Sequence, residues 1–190
     1  MAATTIITVP GWSGSGPKHW QSIWEGQHPE YHRVEMRNWQ SVERADWVRA
    51  LEKALADVSG DVVLVAHSLG CLAVAWWAVT RAGSSTGVRG AMLVAPPDLN
   101  SAPGMLPALA SFTPTPFERL PFRSLLVASE NDPYASIEAS AGLASQWGSD
   151  FVNVGAEGHI NAESGHGPWP MGQIYVERFR AQVCSPSLVA

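Results

Sequence analysis

The stretch VVLVAHSLG, at residues 62–70, places a serine directly between an apolar strand and an apolar helix. In a nucleophile elbow the serine occupies a sharp strand-to-helix turn, and small residues two positions before and after it let the two elements approach closely. Ala66 and Gly70 occupy these positions, so alanine stands where a glycine is more usual. The motif predicts that Ser68 is a nucleophile exposed at the end of a parallel strand.

Six apolar runs along the chain predict strands, and helical patterns separate them. Several runs are continuously apolar rather than alternating, which is typical of strands covered on both faces. The runs are TTIITVP, HRVEMRNW, DVVLVAHS, VRGAMLVAP, FRSLLVAS and DFVNVG. This order predicts an α/β protein, a three-layer α/β/α sandwich around one mainly parallel sheet of about six strands.

Four segments between and after these runs predict helices. Residues 42–58 carry apolar side chains at spacings of three and four, which is typical of an amphipathic helix on a sheet face. Residues 69–82 are apolar nearly all round, which predicts a helix buried against the centre of the sheet, with its two tryptophans in packing roles. Further helices are expected at residues 135–147 and 171–183.

Composition argues against several classes of function. A formal net charge of −5 provides no basic surface, so we expect no nucleic-acid partner. The first ten residues lack the pattern of a secretory signal, and no segment has about 20 uninterrupted apolar residues, so we expect a cytoplasmic protein with no membrane partner. Two cysteines, Cys71 and Cys184, indicate neither a disulfide framework nor a zinc site, and Cys71 is expected to be a small buried residue. No metal or cofactor is expected.

One irregular segment interrupts the alternation of strands and helices. Residues 96–121 contain prolines at positions 96, 97, 103, 107, 114, 116 and 121, which predicts mostly loop with a short helix near residues 106–111. A loop of this length often serves as a lid or binding loop, and a simple connection is the alternative. Because the chain shows no repeat and no long linker, we expect a single domain over residues 1–190.

A serine hydroxyl is a weak nucleophile at neutral pH and needs a base, which an acid must orient. Asp132 follows the run FRSLLVAS, and His159 follows the run DFVNVG. The chain order Ser68, Asp132, His159 is that of the α/β-hydrolase fold, and all three residues follow strands at the same edge of the sheet. We therefore predict that these residues form a catalytic triad.

Each predicted triad position has an alternative. Asp132 has a second interpretation as a cap or turn residue before the next helix, and Glu130 and Asp98 are competing acids. His166 is the competing base, although it lies beyond the segment ESG. His67, beside the nucleophile, is expected to point away from the serine and to have a structural role.

Acyl transfer also requires hydrogen-bond donors for the developing oxyanion. We expect one from the backbone N–H of Leu69, at the positive end of the buried helix, and another from Trp12 in the glycine-rich loop after the first strand. This loop contains neither GxxxxGK[ST] nor GxGxxG, which argues against phosphate binding.

Substrate contacts are predicted for Gly11, Trp12, Phe117 and Trp169, whose aromatic members would supply an apolar wall for an acyl or aryl group. A packing role is the alternative for these aromatic residues. In the loop after the first strand, Lys18 and His19 are additional candidates for substrate contact.

Four tracts resemble the small, lidless serine hydrolases of the α/β-hydrolase superfamily, the group of retinoblastoma-binding protein nine and its bacterial relatives. They are VPGWSGSGPKHWQ, VLVAHSLG, SENDPY and, most distinctive, GHINAESGHGPWPMG. The resemblance implies an α/β-hydrolase fold without a full lid domain, a shallow and partly open pocket, and hydrolysis without a cofactor. It implies triad roles for Ser68, Asp132 and His159 but identifies no substrate. Retinoblastoma-protein binding is not implied, because the chain has no Leu-x-Cys-x-Glu stretch.

The leading prediction is a serine hydrolase that cleaves a small ester, thioester or activated amide through an acyl-enzyme on Ser68. Its partner would be a small-molecule acyl substrate, and the oligomeric state is left open. The alternatives are a catalytically silent binding protein with the same fold and an enzyme of different chemistry, such as a lyase, on the same scaffold.

Overall fold

The computed structural model describes residues 4–80, 87–99 and 107–184. These residues form one sheet of six strands, in which every neighbouring pair is parallel. The strands are β1 (Thr5–Val9), β2 (Tyr31–Arg33), β3 (Val62–His67), β4 (Val88–Val94), β5 (Arg123–Ala128) and β6 (Asp150–Asn153). The helices are α1 (Trp20–Gln27), α2 (Arg44–Ala56), α3 (Leu69–Thr80), α4 (Ile137–Trp147) and α5 (Pro170–Cys184), with a 3-10 helix at Pro107–Phe112.

Helices cover both faces of the sheet, which makes the predicted three layers. Successive residues of a strand point to opposite faces, and in β3 Leu64 and Ala66 join the core beneath α2, α3 and α4. Val63 and Val65 join the core beneath α1 and α5 on the other face. All residues of β3 are buried, which explains why its sequence is continuously apolar rather than alternating.

The sheet agrees with the prediction in strand number, and two details differ. The second apolar run forms a strand only over Tyr31–Arg33, and its last pair joins Arg33 to Thr8, one residue before the end of β1. Helix α1 was not predicted, since His19 at its N-cap is not among the usual capping residues. The signal was present in the apolar spacing of Trp20, Ile23 and Trp24.

The strand order β2-β1-β3-β4-β5-β6 reverses direction at β1. The chain leaves β1 toward one side to form β2 and returns on the other side to form β3. The connections after β1 and β3 therefore diverge and open a crevice at the carboxyl ends of these strands, where ligands of open α/β sheets bind.

The connection between β4 and β5 contains no inserted domain in the part that the structure describes, where the 3-10 helix Pro107–Phe112 is the only helix. Residues 100–106 of the proline-rich segment lie outside the described residues. Over the described ranges, none of the helices is both long and apolar enough to cross a membrane. Cys71 is completely buried, as expected, and burial raises the pKa of its thiol.

Candidate active site

Ser68 lies on the turn between the last residue of β3 and the first residue of α3. Its φ is +53°, in the left-handed region that residues with a side chain seldom adopt. Helix α3 passes so close to β1 that a Cβ on Gly70 would lie 2.3 Å from the carbonyl oxygen of Val9. The close approach and the strained backbone are the two features expected of a nucleophile elbow.

A continuous chain of hydrogen bonds joins three side chains from the loops after β3, β5 and β6. Nε2 of His159 lies 2.9 Å from Oγ of Ser68, and Nδ1 of His159 lies 2.9 Å and 3.0 Å from the two carboxylate oxygens of Asp132. Because an ionised carboxylate only accepts hydrogen bonds, Nδ1–H of His159 donates to Asp132. This assignment leaves Nε2 free to accept the hydrogen of the serine hydroxyl.

The predicted acid and the predicted base are shielded from water. The side chains of His159 and Asp132 are 9% and 3% exposed. Asp132 also accepts a hydrogen bond of 2.9 Å from the backbone N–H of Tyr134. Water therefore competes little for the carboxylate, and the imidazole has one preferred orientation.

Two polar side chains that sequence reasoning missed connect the acid loop to the histidine loop. Oδ1 of Asn131 accepts from the backbone N–H of Gly158 at 2.6 Å and from the hydroxyl of Ser129 at 2.9 Å. The Ser129 hydroxyl in turn accepts from the backbone N–H of Glu157 at 2.9 Å. Both residues precede the predicted acid in the tract SENDPY, but their partners Glu157 and Gly158 lie more than twenty residues away and could not be predicted from the tract.

His67 contacts the loop after β6, which contains His159. Its Nε2–H donates to the backbone carbonyl of His159 at 2.9 Å, and its ring packs between the rings of His19 and His159. Burial, followed by the nearby His159 and His19, holds the pKa of His67 well below its usual range. The imidazole is therefore neutral and holds the backbone of the predicted base in place.

His19 is a second buried histidine beside the site. Its Nδ1 accepts the backbone N–H of Gln21 at 3.2 Å as the N-cap of α1. Its Nε2 is buried and forms no hydrogen bond within the described part of the chain. Burial, with smaller contributions from Arg33 and His159, lowers the pKa of His19 to about 4.

A cavity of about 590 Å³ opens above Ser68. The loop after β1 forms one wall, including Gly11 and Trp12, and Tyr134 lies among the residues that complete the lining. Trp12 and Tyr134 are 38% and 44% exposed, so the cavity is bordered by aromatic side chains that solvent reaches. Leu69, which follows the serine, also lines it. This environment suits an apolar group attached to a reactive carbonyl.

The similarity to a known family extends over most of the sequence. Residues 6–178 match the model of a protein family described as serine hydrolase. The chain belongs to the serine hydrolase family. No curated protein matches it.

Solved structures place this serine hydrolase in the α/β-hydrolase fold. It is similar to a protein described as a YdeN-like hydrolase from Pectobacterium atrosepticum, with 33% identity, a TM-score of 0.85 and coverage of 95% of this chain and 92% of the other. The ydeN gene product of B. subtilis is 21% identical, with a TM-score of 0.74 and coverage of 94% and 100%. The type II thioesterase BorB of the borrelidin cluster is 14% identical, with a TM-score of 0.65 and coverage of 94% of each chain.

The structure brings two of the four predicted substrate contacts of the serine hydrolase to the cavity. Gly11 and Trp12 line it, whereas Phe117 borders a separate cavity of about 280 Å³. Trp169 is buried and stacks on Trp24, with ring centroids 5.8 Å apart and planes at 9°. Phe117 therefore lies away from the cavity above Ser68, and Trp169 packs in the core, where its ring contacts Trp20 and Trp24 of α1 and Tyr175 of α5. A substrate contact by either residue stays a prediction.

The rival residues have other positions. Glu130 accepts a hydrogen bond of 2.9 Å from the side chain of Asn153, and Asp98 borders the smaller cavity. Nε2 of His166 lies 3.2 Å from the carboxylate of Glu157. The residues that the structure describes contain no group of three His, Cys, Asp or Glu side chains able to hold a metal ion.

Proposed function

We propose that this serine hydrolase cleaves a small ester, thioester or activated amide through an acyl-enzyme on Ser68. The observation that supports the proposal most directly is the chain of 2.9 Å hydrogen bonds from Ser68 through His159 to Asp132. It puts a base within reach of the hydroxyl proton and an acid within reach of the base.

In the first half of the proposed reaction, Oγ of Ser68 attacks the acyl carbonyl carbon while Nε2 of His159 takes the hydroxyl proton. The bond to the leaving group then breaks, and His159 donates this proton to the leaving group. Asp132 keeps Nδ1 protonated and stabilises the imidazolium that forms between these steps. The products of this half are the released alcohol, thiol or amine and an ester on Ser68.

In the second half, a water molecule attacks the ester carbonyl while Nε2 of His159 takes a proton from it. The bond between the carbonyl carbon and Oγ breaks, and the proton returns to Ser68. The acid product leaves and the enzyme is restored.

Both halves pass through a tetrahedral oxyanion, for which we propose two backbone donors. Leu69 N–H lies at the start of α3, where the helix dipole favours negative charge. Trp12 N–H lies in the loop of residues 10–19, named here the oxyanion loop. A Cβ on Gly11 would lie 2.8 Å from Cβ of Ser68, so this loop packs directly against the proposed nucleophile.

The substrate proposed is a small molecule with an apolar acyl or aryl group, because aromatic side chains border the cavity. Trp12 and Tyr134 would contact this group. The cavity is proposed to be partly open, which permits acyl groups of varied length.

A fluorophosphonate probe tests the proposal before any substrate is known. Intact mass is measured after treatment of the wild type, Ser68→Ala, His159→Ala and the matched control His166→Ala. We expect one adduct on the wild type and on His166→Ala, none on Ser68→Ala, and a strongly slowed reaction of His159→Ala. No adduct on folded wild type would instead support the silent binding protein.

A further inference from the structure

Gln21 occupies a position between the two strands that flank the crevice. It is completely buried in the first turn of α1. Its side-chain Nε2 donates to the carbonyl oxygens of Val9, at 3.3 Å, and of Val65, at 3.0 Å. Val9 is the last residue of β1, and Val65 lies three residues before Ser68. One amide group therefore joins β1, where the oxyanion loop begins, to β3, which leads to Ser68.

The other half of the Gln21 amide holds the oxyanion loop itself. Its Oε1 accepts a hydrogen bond from the hydroxyl of Ser15, which is also buried. With both amide hydrogens and the oxygen in use, the Gln21 side chain has a single orientation. Ser15 is thus connected through Gln21 to the last residue of β1 and to Val65 within β3.

The backbone of Ser15 is held from a second direction. Its carbonyl oxygen accepts from the hydroxyl of Ser22 at 2.7 Å and from Nη1 of Arg33 at 2.9 Å. Arg33 is itself oriented by Glu25, whose carboxylate lies 2.9 and 3.1 Å from Nε. Ser15 therefore has fixed contacts through both its side chain and its backbone.

Between Ser15 and β1 the oxyanion loop contains only five residues, including the proposed donor Trp12. Ser13 has a φ of +68°, in the left-handed region that residues with a side chain seldom adopt, whereas glycine at position 14 adopts its φ of +74° readily. A conformation of this kind persists when its ends are fixed by the surrounding structure. The bonds to Ser15 fix one end, and β1 fixes the other.

We propose that Ser15 and Gln21 are positioning residues that hold the oxyanion loop in register with Ser68. This inference rests on the proposed function, because it assigns the loop a task only in acyl transfer. Neither residue would touch the substrate. Their bonds would keep the Trp12 N–H at the distance from the carbonyl oxygen that stabilises the tetrahedral oxyanion, at no cost of reorganisation during the reaction.

The test is Ser15→Ala, which removes the bond to Gln21 and leaves the backbone contacts of Ser15 in place. Its matched control is Ser124→Ala, because Ser124 is also buried and its hydroxyl also bonds one side-chain oxygen, that of Ser149 at 2.7 Å. Ser124 lies near the start of β5, at the edge of the sheet opposite the crevice. Both changes remove the same group from a buried site.

Each protein is assayed with a p-nitrophenyl ester for kcat and KM, and with a trifluoromethyl ketone that forms a reversible tetrahedral adduct. For Ser15→Ala we expect kcat to fall about 10- to 100-fold, with KM changed less than about twofold. The inhibition constant of the ketone should rise by a similar factor. Ser124→Ala should match the wild type in all three quantities.

The outcomes separate this inference from the proposed function. A folded wild type that neither hydrolyses esters nor reacts with a fluorophosphonate overturns both. An active wild type with Ser15→Ala equal to Ser124→Ala, or altered only in KM, overturns the positioning role and leaves the proposed function standing. Should Ser15→Ala not fold, Ser22→Ala, which removes one donor to the Ser15 carbonyl, is measured against the same outcomes.

Discussion

A Cβ on Gly70 would lie 2.3 Å from the carbonyl oxygen of Val9, well inside the van der Waals contact distance of the two atoms. The atom it would meet belongs to the backbone at the carboxyl end of β1 and cannot turn aside as a side chain could. Helix α3 and strand β1 are in contact at this point because Gly70 has no side chain.

Gly70→Ala should destabilise the protein by more than about 3 kcal/mol, since either α3 or β1 must move. The matched change is Gly142→Ala in α4, where a Cβ would have no atom within 4 Å. That variant should gain about 0.5 to 1 kcal/mol from helix propensity. Urea unfolding gives the unfolding free energy of each variant. Equal values for Gly70→Ala and Gly142→Ala would contradict the close packing of α3 against β1.

Asp132→Asn should lower kcat about 10⁴-fold with little change in structure, because an amide can donate to Nδ1 and stabilise the wrong imidazole tautomer. Glu130→Gln makes the same chemical change two residues earlier, at a side chain that contacts Asn153 rather than His159. We expect it to stay within about threefold of the wild type. The kinetics of ester hydrolysis decide between the two acids, and a larger loss in Glu130→Gln would reverse the assignment.

Protein stability should fall as pH decreases from about 7 to 4. The unfolded His19 imidazole binds a proton below its ordinary pKa of 6.5, whereas the folded one stays neutral down to about 4. The unfolded state therefore binds more protons in this window, and protonation favours it by about 3 kcal/mol at the acid end. His67, whose pKa is also lowered, adds to the effect.

His19→Asn tests this account, because asparagine keeps an oxygen to cap α1 but does not titrate. Its unfolding free energy should lose about 3 kcal/mol less than that of the wild type between pH 7 and 4. The exposed His32→Asn serves as the control and should retain the wild-type slope. Identical slopes in the two variants would show that His19 is not held neutral by the fold.

The two tryptophans Trp12 and Trp169 should separate substrate contact from packing. Trp169→Ala removes a buried ring stacked on Trp24, so we expect a loss of about 3 to 5 kcal/mol in unfolding free energy. Trp12→Ala keeps the backbone N–H and removes an exposed ring beside the cavity. It should change stability by less than about 0.5 kcal/mol and raise KM for aryl esters. A stable Trp169→Ala variant with a raised KM would instead support the predicted contact between Trp169 and the substrate.

Sequence periodicity was sufficient for the sheet because the central strands are buried on both faces. Val62 to Ala66 have no solvent-exposed side to interrupt their apolar run, and the chain order of strands and helices then leaves few topologies. The short edge strand was harder to delimit. The residues after Arg33 do not indicate that the pairing of β2 with β1 ends there.

The candidate triad was also accessible from the sequence, because each member follows a strand and all strand ends meet at one edge. Their supporting contacts were not. Gln21 lies in α1, a helix that the sequence did not predict. Its hydrogen bonds to Val9 and Val65 depend on how α1 packs against the sheet. The aromatic residues were ambiguous for a related reason: Trp12 and Trp169 differ in exposure, which follows from tertiary packing rather than from local pattern.

His159 lies in the loop after β6, which is the last strand along the described part of the chain and an edge strand of the sheet. Its hydrogen-bond partner Ser68 lies on the turn directly after β3, 91 residues earlier in the chain. An intermediate with the central strands assembled and β6 still undocked would therefore have a formed elbow but no base beside it. In a refolding experiment, hydrolase activity should therefore return only after β6 has paired with β5, so turnover would report on the docking of this edge strand.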